Sequence, residues 1–197
     1  MRLMREGTFE SHWQKFLMKM NGLERYVREL DCLEEKALTK EVTREVWIPS
    51  SGEDIKINFD VGFNSELFRL GSGVVVRDGM GKVIVSKVII HENAGSAFAA
   101  KAHSCLEAVK MGLNLKDRKI HIEGYSLSAI KKCISDSSDK SEICSIIQYI
   151  KALWCNFRFL KFYHVCRKIN KLADSVATES LKKREGFYWR VRCQDMQ

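Results

Sequence analysis

Two aspartates in this sequence stand on different kinds of scaffold. Asp60 ends the run Ile55–Asp60, in which apolar and polar residues alternate, and Asp174 lies in the helix-like segment Asn170–Asp174. Alternation with a period of two is typical of a half-buried strand, so we expect Asp60 on a strand and Asp174 on a helix. Carboxylates that converge on one spot can hold a hard cation such as Mg2+, which prefers oxygen ligands. Asp60 and Asp174 are therefore the first candidate site residues.

A cluster of polar and basic side chains precedes Asp174. Arg167, Lys168 and Lys171 lie near the predicted start of the last helix, together with Asn170. Their cationic groups could grip phosphates without reading bases. We therefore predict Arg167, Asn170 and Lys171 as nucleic-acid contacts.

His164 and Asn170 each have two interpretations. His164 ends a predicted strand, where it could shuttle a proton or could be a structural histidine that is hydrogen-bonded at the strand end. Asn170 lies one helical turn before Asp174, so both side chains could face one cleft. Alternatively, Asn170 caps the start of its helix.

The elements that must position these residues follow from the hydrophobic periodicity. Apolar alternation predicts strands, and apolar residues three and four apart predict helices. The predicted strands and helices are, in chain order, strand 55–61, a hairpin within 74–85, helix 97–115, strand 119–123, helices 126–134 and 142–153, strand 157–164 and helix 169–183. An antiparallel meander followed by helical crossovers predicts an α/β fold, with a mixed five-stranded sheet flanked by helices.

The composition is that of a soluble globular protein. Of the 197 residues, 45% are hydrophobic and 29% are charged. No stretch approaches the ~18–20 apolar residues of a membrane span, and the N-terminus lacks the pattern of a secretory signal. We therefore expect an intracellular protein, nuclear or cytoplasmic and not secreted, without a membrane role. The seven scattered cysteines include no Cys-x-x-Cys pair and predict no structural metal site.

The sequence divides into three parts. We expect residues 1–46 to form an amphipathic helical extension, in which the pattern over 9–38 could pack on the domain or on a protein partner. We expect residues 47–183 to form the globular domain and 184–197 to form a basic tail. Residues 1–46 carry nine basic and nine acidic side chains, so the net charge of +8 belongs to the remainder. A basic domain suits a polyanionic partner.

Four motifs together resemble one family. They are Lys56–Gly62 ("K-x-N-x-D-G"), Gly73–Gly81 ("G-x-G-x-V-x-R-D-x-x-G"), Ile122–Ser126 ("E-x-D-S") and His164–Asp174 ("H-V-x-R-x-x-N-x-x-A-D"). Their order and spacing resemble the type-I ribonuclease H-like domains of plant genomes and of plant reverse transcriptase-like retroelements. The resemblance covers about residues 47–183.

The resemblance implies a ribonuclease H-like fold, in which three antiparallel strands are followed by two parallel ones. It also implies an activity, the Mg2+-dependent cleavage of the RNA strand of an RNA–DNA hybrid. Two Mg2+ ions ~4 Å apart would activate a water and stabilise the leaving oxygen. The four metal-binding carboxylates of the family fall on Asp60, Lys101, Tyr125 and Asp174. The first and last of these positions hold acids.

The two substituted positions predict a weakened metal site. Lys101 puts a cation where the resemblance implies a metal ligand, and Tyr125 is a neutral phenol. Glu107 lies six positions after Lys101 and faces another side of the helix, whereas Glu123 lies one strand repeat from Tyr125. Neither acid is expected to restore the site.

We therefore expect this protein to bind RNA–DNA hybrid or duplex RNA through backbone and shape, and not to cut it. Two alternatives remain open at this stage. One is an active nuclease with a single metal ion held by Asp60 and Asp174. The other is a protein-interaction module that has no role with nucleic acid.

Overall fold

The computed structural model describes residues 46–50, 52–64, 69–91, 96–116, 118–137, 140–183 and 188–190. The predicted helical extension over 9–38 lies outside the described residues. Within the described part of the chain, no helix is long and apolar enough to cross a membrane.

Six strands and four helices make up the described fold. They are β1 Ile55–Asn64, β2 Arg69–Arg77, β3 Val83–His91, α1 Ala97–Leu113, β4 Lys119–Gly124, α2 Leu127–Ile134, α3 Cys144–Trp154, β5 Phe159–His164, α4 Lys171–Lys183 and β6 Tyr188–Arg190. Each predicted strand and helix from residue 55 to residue 183 is present, with ends that differ by a few residues.

The strands form one mixed sheet in the order β5-β4-β1-β2-β3-β6. β1, β2 and β3 are an antiparallel meander, while β4 pairs in parallel with both β1 and β5. The predicted five-stranded arrangement is therefore confirmed. β6 adds a sixth strand that the sequence did not predict, and it pairs antiparallel with β3 from within the segment that we interpreted as a basic tail.

The hairpin between β2 and β3 is closed by its own turn residues. The Oδ1 of Asp78 accepts hydrogen bonds from the backbone N–H groups of Met80 and Lys82, at 3.0 and 2.9 Å. Gly81 has a φ of 87°, a conformation that costs glycine little. This local chemistry explains why the glycine-containing turn could be predicted from the sequence.

The two faces of the sheet are covered differently. The apolar positions of the strands, such as Ile57 and Ile122, point to a buried core under α1, α2 and α3. The opposite, outer face of β1, β2 and β3 is covered by α4. At Gly73 a Cβ atom would lie 2.5 Å from the backbone oxygen of Ala173, so α4 approaches β2 closely because that position has no side chain. The close approach brings Asp174, the next residue after Ala173, towards β1.

Candidate functional site

The site is built around Asp60, which lies on the outer face of β1 and is 9% exposed. Its Oδ1 accepts a hydrogen bond from the N–H of Val61 at 2.8 Å. Its Oδ2 accepts one from the Nδ2 of Asn170 at 3.0 Å. Burial raises the pKa of Asp60 to about 6, the two hydrogen bonds and Arg167 oppose the rise, and the negative charge of Asp174 adds to it.

Asn170 joins the start of α4 to β1. Its Nδ2 also donates to the backbone carbonyl oxygen of Phe59 at 2.8 Å. The backbone carbonyl oxygen of Asn170 accepts a hydrogen bond from the N–H of Asp174 at 3.2 Å. The side chain of Asn170 is therefore directed at the strand, and it is 1% exposed, so it is buried against β1. The structure brings Asp60 and Asp174 close enough for their charges to interact.

Arg167 lies among these acids. Its Nη2 donates to the Oδ1 of Asp174 at 3.1 Å, and its side chain is 63% exposed. Burial lowers the pKa of Arg167, but the larger combined effect of Asp174, Asp60 and Tyr125 raises it. We predicted Arg167 as a phosphate contact from the sequence, and the structure pairs it with a carboxylate of its own chain. Lys171 remains exposed at the start of α4.

His164 and Tyr125 lie together at the ends of β5 and β4. The Nε2 of His164 donates to the backbone carbonyl oxygen of Tyr125 at 2.9 Å, and the two ring centroids are 6.1 Å apart. This contact is the strand-end hydrogen bond of the structural interpretation. It fixes the backbone at the position where the resemblance implies a metal ligand.

Lys101 lies on α1, which is anchored to β1 at the site. The hydroxyl of Ser104 donates to the backbone oxygen of Asp60 at 3.0 Å. Lys101 precedes Ser104 by three residues, so it lies on the same side of α1, one turn towards the N-terminus. Glu107 instead accepts from Lys87 and Lys110, at 2.7 and 2.8 Å, as an acid that faces another side of the helix.

Glu123 is also hydrogen-bonded and ion-paired to other side chains. Its Oε2 accepts from the Nε1 of Trp47 at 2.9 Å and from the Nδ2 of Asn58 at 3.0 Å, while its Oε1 lies 2.8 Å from the Nζ of Lys56. Asn58 also donates to Asn170 at 3.3 Å. A chain of hydrogen bonds thus runs from Trp47 through Glu123, Asn58 and Asn170 to Asp60.

Sequence reasoning did not assign a site role to Asn58, Trp47 or Arg77. The guanidinium of Arg77 lies 4.0 Å from the ring centroid of Trp47, and burial lowers the pKa of this arginine. Asn58 could have been found, because it stands two residues before Asp60 and must therefore share its side of β1. Trp47 is 76 residues from Glu123, and no local pattern indicates that pairing.

The side chains present do not fit a two-metal magnesium site. Mg2+ requires several oxygen ligands in near-octahedral geometry. Among the residues that the structure describes, no group of three or more His, Cys, Asp or Glu side chains could hold a metal ion. Two aspartates converge, and one of them already pairs with Arg167.

Comparison with known proteins identifies the family to which this chain belongs. The reverse transcriptase-like family model matches residues 58–180, which include most of β1 and most of α4. The chain belongs to this family. The resemblance drawn from the four motifs is thus confirmed at the level of family and fold. A search of curated proteins found no match.

Solved ribonuclease H structures share the fold. RNase H1 from the halophilic archaeon Halobacterium salinarum is 18% identical with a TM-score of 0.59, over 66% of this chain and 98% of that one. LC11-RNase H1, isolated from compost by a metagenomic approach, was solved in complex with an RNA/DNA hybrid. It is 19% identical with a TM-score of 0.57, over 66% of this chain and 98% of that one. At such identities the likeness establishes the ribonuclease H-like fold.

A viral reverse transcriptase shares the fold over a smaller part of its length. The foamy viral protease–reverse transcriptase, in complex with RNA/DNA hybrid, is 16% identical with a TM-score of 0.53. The match covers 72% of this chain and 21% of that protein. The similar part is thus about a fifth of that chain.

Proposed function

We propose that this protein binds RNA–DNA hybrid or duplex RNA through the sugar-phosphate backbone and that its Mg2+-dependent cleavage of RNA is impaired. One observation carries the second half of the proposal. Where the family resemblance implies four carboxylates, the described residues bring two together, Asp60 and Asp174, and Lys101 and Tyr125 stand at the other positions.

The missing carboxylates impair the proposed metal site more than the ion pair between Arg167 and Asp174 does. Arg167 is largely exposed, and a pair of this kind contributes about 0–1 kcal/mol, so a metal ion could displace it at small cost. Glu107 and Glu123 cannot supply the two missing carboxylates, because both acids are ion-paired with lysines. The positive charge of Lys101 further disfavours a divalent cation.

Binding of a duplex is supported by charge and by the fold. Lys168 and Lys171 are exposed beside the acids, at the start of α4. Two solved proteins of similar fold are described as complexes with RNA/DNA hybrid. Lysines that contact phosphates bind without base specificity, and their contribution weakens as salt increases.

A cleavage assay tests the impaired site. The full chain and the double variant Lys101→Glu with Tyr125→Asp are incubated with a labelled RNA–DNA hybrid in Mg2+ or Mn2+. We expect cleavage by the double variant and none by the wild type. Adding Asp60→Asn to the double variant should abolish cleavage, which excludes a contaminating nuclease. Wild-type cleavage that Asp60→Asn removes would instead establish an active enzyme with a reduced metal site.

A binding assay tests the duplex contact separately. The anisotropy of a labelled hybrid is titrated with the wild type, with Lys171→Ala and with Lys140→Ala, whose exposed lysine lies between α2 and α3. Lys171→Ala should weaken binding and reduce the slope of log K against log salt by about one. Binding that does not depend on salt, or that both variants weaken equally, would contradict the proposed contact.

A further inference from the structure

The outer face of β4 and β5 carries a separate set of side chains. α4 lies on β1, β2 and β3, at the other end of the sheet. On β5 the positions alternate between buried and outward, so Phe159, Lys161 and Tyr163 point to the outer face. On β4 the outward residues of the same face include Lys119 and His121, which stand opposite Phe159 and Lys161 in the parallel register.

Three rings on this face form a continuous series. The ring centroid of His121 lies 5.6 Å from that of Phe159 and 5.5 Å from that of Tyr163. Tyr163 is 40% exposed, although it is a large aromatic residue. The positions of Phe159 and Tyr163 are four residues apart on one strand, which is about 13 Å. The planes of Phe159 and Tyr163 are tilted by 59° and 35° from that of His121, so the rings form a continuous but stepped aromatic surface, long enough for more than one base.

Cations border these rings. Lys161 is exposed between the two aromatic residues of β5, with its Nζ 5.3 Å from the ring centroid of Phe159. At the start of β4 and β5, a cavity of about 680 Å3 is lined by Arg118, Lys119 and Arg158 together with Phe159. Lysine and arginine beside exposed rings are the groups that bind a nucleic-acid backbone while its bases stack.

Acids near this face include Asp54, Glu123 and Glu53. The Oδ2 of Asp54 lies 3.1 Å from the Nε2 of His121, and Glu123 pairs with Lys56 at 2.8 Å. Glu53 also lines the cavity and is exposed. Among the residues that the structure describes, the five cations of this face, Lys56, Arg118, Lys119, Arg158 and Lys161, outnumber these three acids, so the net charge is positive, which complements a polyanion.

We propose that this face binds single-stranded nucleic acid, with unpaired bases stacked on Phe159, His121 and Tyr163. Lys161, Lys119 and Arg158 would contact the phosphates. A duplex keeps its bases stacked inside, so the proposed ligand differs from the hybrid that we assign to the start of α4. The inference goes beyond the proposed function and does not depend on it.

The test measures the anisotropy of a fluorescein-labelled twelve-nucleotide oligothymidylate titrated with the full chain. Tyr163→Ala should weaken binding about tenfold, because stacking on one aromatic ring has an effect of that size. Tyr163→Phe should bind like the wild type, because it keeps the ring. Tyr149→Ala is the matched control, because Tyr149 is 50% exposed on α3 and its ring also has a lysine nearby, with the Nζ of Lys110 5.9 Å from the centroid. Lys161→Glu should weaken binding without removing a ring.

The outcomes separate this proposal from the alternatives. Loss in Tyr163→Ala and Lys161→Glu, with Tyr149→Ala and Tyr163→Phe unchanged, supports the stacking face. No binding by the wild type, or equal affinities of the wild type and Tyr163→Ala, overturns it. Equal binding of a polyglutamate peptide would assign the face to acidic proteins and also overturn it. Tyr163→Ala should leave hybrid binding unchanged, so each proposal can fail without the other.

Discussion

Replacing Asp60 by asparagine is expected to stabilise the fold at neutral pH, although it removes a candidate site residue. Asp60 is 9% exposed, and burial is the largest cause of the rise in its pKa from 3.8 to about 6. A pKa difference of this size corresponds to about 3 kcal/mol of destabilisation by the ionised carboxylate, at about 1.4 kcal/mol for each pKa unit. An uncharged side chain of the same shape avoids that cost.

The hydrogen bonds of the site reduce the expected gain. The amide oxygen of the variant can still accept from Val61. Its amide nitrogen, however, would face the Nδ2 of Asn170, which donates to Asp60 in the wild type. Two opposed donors cost about 1 kcal/mol. The net stabilisation should therefore be about 2 kcal/mol at pH 7.5, or roughly 4–8 °C in melting temperature for a chain of this size.

The stability gained by Asp60→Asn should increase as the pH rises. Because the pKa of Asp60 is higher in the folded state than in the unfolded state, the folded state holds more protons between about pH 4 and pH 6. The wild type therefore loses stability from this group as the pH rises through that window, whereas the variant does not. Below about pH 4 the advantage of Asp60→Asn should disappear.

Chemical denaturation of the wild type and Asp60→Asn at several pH values between 4 and 7.5 measures this difference. Asp136→Asn is the matched control, because Asp136 is exposed and its replacement should change little. A variant that is less stable than the wild type at pH 7.5 would refute the reasoning. So would a difference in the free energy of unfolding that stays constant from pH 4 to pH 7.5.

Three further perturbations follow from the same contacts. Gly73→Ala should lower the free energy of unfolding by about 1–3 kcal/mol in urea, because a Cβ atom would meet a backbone oxygen of α4 at 2.5 Å; a melting curve like that of the wild type would contradict this. Trp47→Phe should cost about 1.5 kcal/mol, since it removes the 2.9 Å hydrogen bond to Glu123, and an unchanged denaturation midpoint would exclude that contribution. Arg167→Ala should raise the pKa of Asp60 above about 6 in a carboxyl NMR titration, because Arg167 lowers it; a fall would show that the charges are arranged differently.

The sequence predicted much of the sheet because each strand carries its own periodicity. In β1 the alternation that buries Ile57 also places Asn58 and Asp60 on the outer face, so the position of Asp60 could be inferred locally. β6 was missed because three residues, Tyr188–Arg190, are too few to show a period. Their pairing depends on the free edge of β3, which lies a hundred residues away in the chain.

The site was harder to predict than the fold. The motif resemblance assigned Asp60 to the first strand and Asp174 to the last helix, and these residues lie on β1 and α4. It did not predict that Arg167, whose side chain is 63% exposed, also pairs with Asp174. Such partner choices depend on distances between elements, which local patterns do not contain. For the same reason, Glu123 could be judged a weak substitute ligand from the sequence, but its partners could not be named.

The contacts of Trp47 bear on where an autonomous folding unit begins. The family match starts at residue 58, yet the indole N–H of Trp47 is bonded to the buried Glu123 and its ring covers Arg77. A fragment that began at residue 58 would also lack Lys56, and it would leave a buried carboxylate and a buried guanidinium without these neighbours. The cost of removing partners from buried charges is several kcal/mol, a large share of the stability of a typical domain. The segment before β1 is therefore part of the domain's structure, and excision at the family boundary would yield an unstable protein.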